Sequence, residues 1–472
     1  MENGFVRRSL IVSAAVAVAA VVAVAALTPI GAATGADLEG VWRSRGYGWV
    51  WDVKDGRVKP YDESGSTLCL PSSRRRFDLD DPDAKLEMSP DKKTIRILMD
   101  DDQFRYAFDR IEALPAPCIA DPRTDPVSVF DAAVATLTAH YAFFDTRKID
   151  WDAAVQTERS KITAKTKGIE LFKAISRLLS NFRDSHVSLE GEIGDDELEY
   201  APGEDPKVLA QATRSAQPAV AVADEVSEYW NPRAAEDLLG DTEESAVDDD
   251  IVYGLIDDDI GYLGIRSMSG DSKSEIDTAL RKALKLFKGT KALIIDVSSN
   301  DGGYDMTART VAAHFAASRT LAYFKYPGDF GESERQAIFV APSGGERYAG
   351  PIYLIAGRNT VSAAEIFVLS MRALPNVTQI GELTDGSLSD MLSKPLPNGW
   401  SLSLSNEVYL DSKGIGWEGV GIPPDVAITM RSGFRDPTER DIAAVRKVVD
   451  HIRAMAREHA KGGLPAGPED HS

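Results

Sequence analysis

The sequence predicts an α/β core over residues 260–431, preceded by a helical module over 120–190 and a small antiparallel β domain over 37–119. Three observations predict it. From Ile260 onward, strand-like apolar runs alternate with amphipathic helical stretches, which implies parallel pairing and right-handed crossovers. From Pro126 the apolar period becomes helical. Before that, short aromatic and β-branched runs are cut by Gly and Asp-Gly, the grammar of hairpins. At 472 residues the chain is too long for one ordinary core, so several units are expected.

The elements follow in order. "GVWRSRGYGWVWDVKDGRVKPYDE", "KTIRILMD" and "FRYAFDRI" supply the strands of the β domain, which ends near Pro117-Cys118. "VSVFDAAVATLTAHYAFF" places Val129, Ala132, Ala133, Leu137 and Tyr141 at helical spacing, and "IELFKAISRLLSNF" repeats the period. The module closes in "NFRDSHVSLEGE", where alternation predicts a strand starting after His186. Residues 191–259 are acidic and poor in core signals, and read as a connector, with "AVAVADEVSEYW" as a strand or lid within it. In the core, "IGYLGIRSM", "KALIIDVSS", "PIYLIAG" and "VTQIGEL" read as strands. "SEIDTALRKALKLF", "DMTARTVAAHFA" and "SAAEIFVLSMRAL" read as helices, and "LPNGWSLSLSNEVYLD" as a hairpin region. Residues 432–472 read as a C-terminal helix and a disordered tail.

Composition narrows the function. A formal charge of −21 argues against a nucleic-acid partner, because phosphate binding needs basic surface. Residues 1–36 carry two arginines, an apolar stretch at 10–27 and the small-residue site "TGA" at 34–36, so they read as an export signal or an uncleaved anchor. The expected location is periplasmic, extracellular or membrane-anchored facing outward, with membrane contact only through that anchor. An oxidising compartment favours a disulfide between the only two cysteines, Cys69 and Cys118. No histidine set has metal-ligand spacing and the Asp-rich runs lack a calcium-loop pattern, so neither metal nor cofactor is expected.

The chemistry is expected beyond the carboxyl ends of the core strands. Two loops lie there, "SSNDGG" at 298–303 and "RNTVS" at 358–362, each leading into a helix N-terminus whose free N–H groups can hold an oxyanion. Ser362 therefore reads two ways: as a nucleophile, or, with Glu365 three residues on, as a capping box. A serine nucleophile needs a base. His451, His459 and His471 fall in the tail, and His140 and His314 read as packed. His186, in the polar turn "RDSH", remains.

Taken in order, these pieces carry a resemblance. "LFKAISRLLSNFRDSHVSL", "IGYLGI", "LIIDVSSNDGG", "TVSAAEIF", "IGELTDG" and "WEGVGIPPDV" resemble the tail-specific (C-terminal-processing) serine peptidases, and more closely their tricorn-core, interphotoreceptor retinoid-binding protein-like branch, across roughly 120–430. The resemblance implies a ClpP/crotonase-like ββα sheet-and-helix core and peptide-bond hydrolysis of peptides or unfolded proteins. It implies Ser362 as nucleophile, His186 as base, and Ser185 and Glu418 orienting the base, with Asp184 second in line as the orienting acid. The oxyanion donors it implies are Ala363 and one of Gly302 or Gly303. Two departures stand out. Ser387 occupies the place of the lysine in the Ser–Lys dyad of the tail-specific branch, and Lys394 lies farther on. Residues 190–259 lack the pattern of a PDZ-like domain. A carrier for apolar ligands on the same fold, or an esterase, are the alternatives, and an oligomer is compatible with either.

Overall fold

The computed structural model describes residues 38–72, 85–99, 104–202, 232–269, 273–430 and 437–461. The N-terminal signal or anchor, "AVAVADEVSEYW" and the last eleven residues lie outside them. Among the described residues no helix is long and apolar enough to cross a membrane.

The β domain is a seven-stranded antiparallel sheet. Its strands run in the spatial order Leu68–Pro71, Arg57–Ser64, Trp49–Lys54, Gly40–Ser44, Phe104–Ile111, Thr94–Met99 and Lys85–Met88. The Asp-Gly signal forms the expected tight turn. Asp55 and Gly56 both take positive φ, 51° and 69°, so that Lys54 pairs with Arg57. Cys69 and Cys118 form a disulfide across 49 residues and pack with Val50 and Tyr61. Replacing both by serine is expected to lower unfolding free energy by about 4 kcal/mol, the chain-entropy value for a loop of this length. Urea unfolding of the oxidised protein and the double variant measures it; a difference under about 1 kcal/mol rejects that role.

The helices of residues 120–190 come next. Asp125 caps the helix Pro126–His140 by accepting from Ser128 N at 3.2 Å, and the helices Trp151–Arg159 and Gly168–Leu179 pack beside it. Val129, Ala133 and Leu137 of the first helix and Leu171, Ile175 and Leu178 of the third are fully or almost fully buried. Arg183 then turns the chain with φ 49°, and the strand Ser188–Ile193 begins two residues after His186.

The core sheet has seven strands, ordered Glu244–Ala246, Ile251–Ile256, Ile260–Ile265, Ala292–Asp296, Ile352–Ala356, Val377–Gly381 and Val426–Ala427. The last five are parallel and the first two antiparallel. This corrects the reading of 191–259 as a connector. Its first residues extend the strand Ser188–Ile193 into a hairpin with Asp196–Tyr200, and Pro232–Leu239 is a helix of the core. The strand "IVYGLI" sits between two aspartate runs that are themselves its turns: Asp248, Asp249, Asp257 and Asp258 all have positive φ. Aspartate tolerates that conformation through local hydrogen bonding, so the acidic runs mark hairpins and not a solvated spacer.

Both faces of the sheet are covered, as the strand period of two requires. Leu293 and Ile295 face the cluster that includes Leu280, Val311 and Ile366 from the helices Lys273–Leu286, Asp305–Ala313 and Ala363–Arg372. Ala292 and Ile294 face the other way, against Leu238 and against Val445, Val448 and Val449 of the long helix Pro437–Lys461. The C-terminal helix is thus a layer of the core. Two further sheets join the units. One, ordered Met391–Pro395, Ser401–Ser405, Ser188–Ile193 and Asp196–Tyr200, pairs Ser188 of the helical module with Ser403 of the core. The other holds Gln336–Val340, Thr320–Pro327 and Glu407–Asp411. The β domain is clamped on by Lys394, buried and 3.1 Å from Asp62 Oδ1, and by His140 Nε2, 3.1 Å from the carbonyl of Glu63.

Candidate active site

The two loops singled out in the sequence lie side by side. Each follows a parallel strand and enters a helix, and a short parallel ladder, Ser299–Asn300 on Asn359–Thr360, ties them together. Buried Asn300 braces the junction. Its Nδ2 donates to Ile265 O at 3.0 Å, its Oδ1 accepts from Gly302 N at 2.9 Å, and its carbonyl accepts from Val361 N at 3.0 Å.

The capping box is absent. Ser362 stands at the N-cap of Ala363–Arg372, yet its side chain makes no cap hydrogen bond. Glu365 points away from it. Its carboxyl accepts from Thr384 Oγ1 at 2.5 Å and from the amides of Gly386 and Ser387 at 2.9 and 2.8 Å. Burial pushes that carboxyl up, to about 8, against three hydrogen bonds that favour the anion. Ser362 itself adopts φ 56° and ψ −127°, a conformation that strains a residue with a side chain. The strain is sustained from both sides. Ser362 N donates to the carbonyl of Ser387 at 3.0 Å, and its own carbonyl starts the helix. The outcome is a half-buried hydroxyl held at a turn of strand into helix, without a hydrogen bond to another side chain or the backbone among the described residues.

Gly302 makes room for it. With φ 107°, a Cβ there would lie 2.6 Å from Ser362 Cβ and 3.1 Å from Ala363 N. Of the expected oxyanion donors, Gly302 N–H is taken by Asn300. Gly303 pairs with Met268 through the Gly302 carbonyl and the Tyr304 amide, which leaves the Gly303 N–H outside that pairing. Ala363 N–H belongs to the first helical turn, where amides have no partner within the helix.

His186 is buried just before the strand Ser188–Ile193, and its surroundings differ from the expectation. Of the two adjacent residues, Asp184 is buried and Ser185 is not. Asp184 Oδ1 accepts from His186 N at 3.0 Å and Ser405 Oγ at 3.1 Å, and Oδ2 accepts from Tyr141 Oη at 2.9 Å. Ser185 is exposed, and among the described residues no hydrogen bond joins it to His186 or Glu418. Consecutive side chains leave the turn in opposite directions, and this one sends Asp184 inward. Glu418 is buried, with Oε1 on Arg147 Nη2 at 2.6 Å and Oε2 on the amides of Leu388 and Ser389 at 2.8 and 3.1 Å. Burial and the charge of Asp184 push Glu418 up, against Arg147. The relay from Glu418 through Ser185 to His186 is therefore not assembled.

Burial lowers the affinity of His186 for a proton. The charges of Asp184 and Asp385 pull the other way, Arg147 adds to the lowering, and the net is below the ordinary imidazole value. Its Nδ1 is buried with no partner among the described residues. The remaining candidates have structural partners elsewhere. Lys394 is committed to Asp62, Ser387 Oγ donates to Asp385 at 2.6 Å, and His314 lies 2.8 Å from Asp277. Sequence reasoning missed Arg147 and Ser405, and read Tyr141 only as a helix-face residue and Glu365 only as a cap, because their contacts join distant segments.

A parallel sheet with a strained serine at a strand–helix turn is an arrangement that serine hydrolase chemistry can use. Residues 259–428 match Peptidase family S41. The carboxy-terminal processing protease CtpB of Bacillus subtilis is 24% identical over 175 residues, 37% of this chain and 35% of CtpB. The matching stretch spans about a third of that curated relative. A candidate peptidase from Parabacteroides merdae shares 25% identity over 74% of this chain and all of that one, with a TM-score of 0.56. Mature CPAF, at 11% identity and a TM-score of 0.50 over 72% of this chain and 98% of its own, shares the fold.

Proposed function

We propose that the protein is an exported serine peptidase that cleaves peptides or unfolded proteins through an acyl-enzyme, with Ser362 as nucleophile and His186 as general base. The observation that carries this reading is the strained, uncapped Ser362 packed against Gly302 at a helix N-terminus. His186 takes the proton of Oγ as Oγ attacks the carbonyl carbon. The tetrahedral oxyanion lies against the N–H groups of Ala363 and Gly303. The imidazolium gives its proton to the leaving amine, and water then releases the acyl group by the same route. A positioned base is worth roughly 10²–10⁴-fold, and one oxyanion donor about 10²–10³-fold. In this reading Asp184 holds the base, and Glu418 acts through Arg147 and the turn at Leu388–Ser389 instead of through Ser185. Residues 1–36 support export.

A fluorophosphonate probe is expected to modify the protein at Ser362, read by mass spectrometry of the digested adduct, and hydrolysis of a denatured protein is expected alongside. Label at another residue, or none with no turnover of peptide or ester, rejects the reading. The acid side of kcat/KM follows from the buried imidazole. Burial disfavours the cation, so protonation of His186 needs a lower pH than usual. The acid limb is expected to have its midpoint below 6.5, the ordinary histidine value. A midpoint above that value contradicts His186 as the base.

A further inference from the structure

We propose that Arg147 is a positioning residue: its guanidinium buckles the segment that carries the base to the turn that supports the nucleophile, and so sets the register of His186 against Ser362. The inference rests on the assignment of those two residues. Arg147 lies in "FFDTRK", between the first two helices of the helical module, and its side chain is buried. It reaches two groups on each side. On the base side, Nη1 donates to the carbonyl of Arg183 at 2.5 Å and Nε lies 3.4 Å from Asp184 Oδ2. On the nucleophile side, Nη2 donates to Glu418 Oε1 at 2.6 Å and to the carbonyl of Gly386 at 3.3 Å. Among the described residues no other cation pairs with Asp184 or Glu418.

Each side continues to a reacting group by short links. Asp184 binds the backbone amide of His186. Glu418 binds the amides of Leu388 and Ser389, Gly419 N donates to Gly386 O at 2.7 Å, and the adjoining Ser387 carbonyl accepts the amide of Ser362. Without Arg147, two buried carboxylates face each other with no cation between them, and that repulsion opens the seam on which the site lies. The planar fork, with its five donors, suits this double engagement, and a lysine ammonium does not reproduce it. The charge also bears on the base. The charged groups around His186 are Asp184 on its own turn, Asp385 on the 384–387 turn, Asp305 at the start of the helix after Gly303, and Arg147. Arg147 is the cation of that set and opposes the three acids.

The test compares the full chain with Arg147→Lys and Arg147→Met. It reads kcat, KM, the rate of fluorophosphonate labelling at Ser362, and the titration of the His186 ring by NMR. In Arg147→Lys, kcat and labelling rate are expected to fall by about tenfold or more, with KM within about threefold of wild type. The His186 titration stays in place because the charge is kept. In Arg147→Met the loss is larger and the His186 midpoint moves up, since the surrounding acids are then unopposed. Folded Arg147→Lys with kcat and labelling within about twofold of wild type overturns the proposal, as does an unmoved His186 titration in folded Arg147→Met. If Arg147→Met does not fold, Arg147→Lys decides alone. If wild type neither labels nor hydrolyses, the peptidase reading fails, and the NMR titration still decides whether Arg147 governs the base.

Discussion

Ser362→Ala is expected to lower peptide hydrolysis by more than about a thousandfold, because the acyl-enzyme has no other nucleophile at this turn. The protein is expected to stay folded. The Ser362 side chain makes no cap hydrogen bond, and its backbone strain is the same with alanine, so the substitution removes chemistry and little else. Paired measurements of steady-state turnover and thermal unfolding distinguish the cases. A residual rate within about tenfold of wild type would place the nucleophile elsewhere. Equal inactivity of both proteins on peptides and esters, with no labelling of either, favours the alternative in which the fold carries an apolar ligand.

Gly302→Ala is expected to be nearly as damaging by a different route. A Cβ at this position would lie 2.6 Å from Ser362 Cβ and 2.9 Å from the carbonyl of Val361, in a backbone with φ 107°. Neither neighbour can yield freely, because Val361 and Gly302 are both tied to Asn300. The methyl group therefore displaces the nucleophile together with the first amides of its helix. A shift of about 1 Å in a reacting group costs on the order of 10²-fold, and the left-handed backbone adds about 1–3 kcal/mol of strain. At least a hundredfold loss of turnover and of Ser362 labelling is expected, with a lower midpoint of thermal unfolding. Activity within about threefold of wild type would show that the loop holding Gly302 is not packed on the nucleophile as described.

The sequence made the layers legible because burial has a period. The strands at Ile260, Ala292, Ile352 and Val377 announced themselves as apolar runs between helical patterns, and both site loops followed from their carboxyl ends. Ser362 itself was ambiguous. A serine with Glu365 three residues on is written the same way whether it caps a helix or stands strained at its start; the value of φ separates the two, and φ depends on Gly302 and Ser387 closing in from other segments. The aspartate runs misled for a related reason. Composition averages over a window, whereas each aspartate at 248, 249, 257 and 258 meets a local demand for positive φ. The neighbours of His186 were hidden by distance along the chain. Arg147 meets Glu418 across 271 residues and Asp184 meets Ser405 across 221, and neither pairing leaves a local trace. Ser185 and Asp184 are adjacent, so choosing between them required knowing which way the turn faces.

The four-stranded antiparallel sheet that pairs Ser188 with Ser403 bears on the order of synthesis. A ribosome delivers His186 early and Ser362 later, but the strand Ser401–Ser405, whose last residue binds Asp184, and Glu418, which binds Arg147, come last among these parts. A nascent chain, or a fragment ending before these residues, holds every reacting side chain and no means of bringing them into register. On the proposed assignment, the centre stays silent until folding is nearly complete.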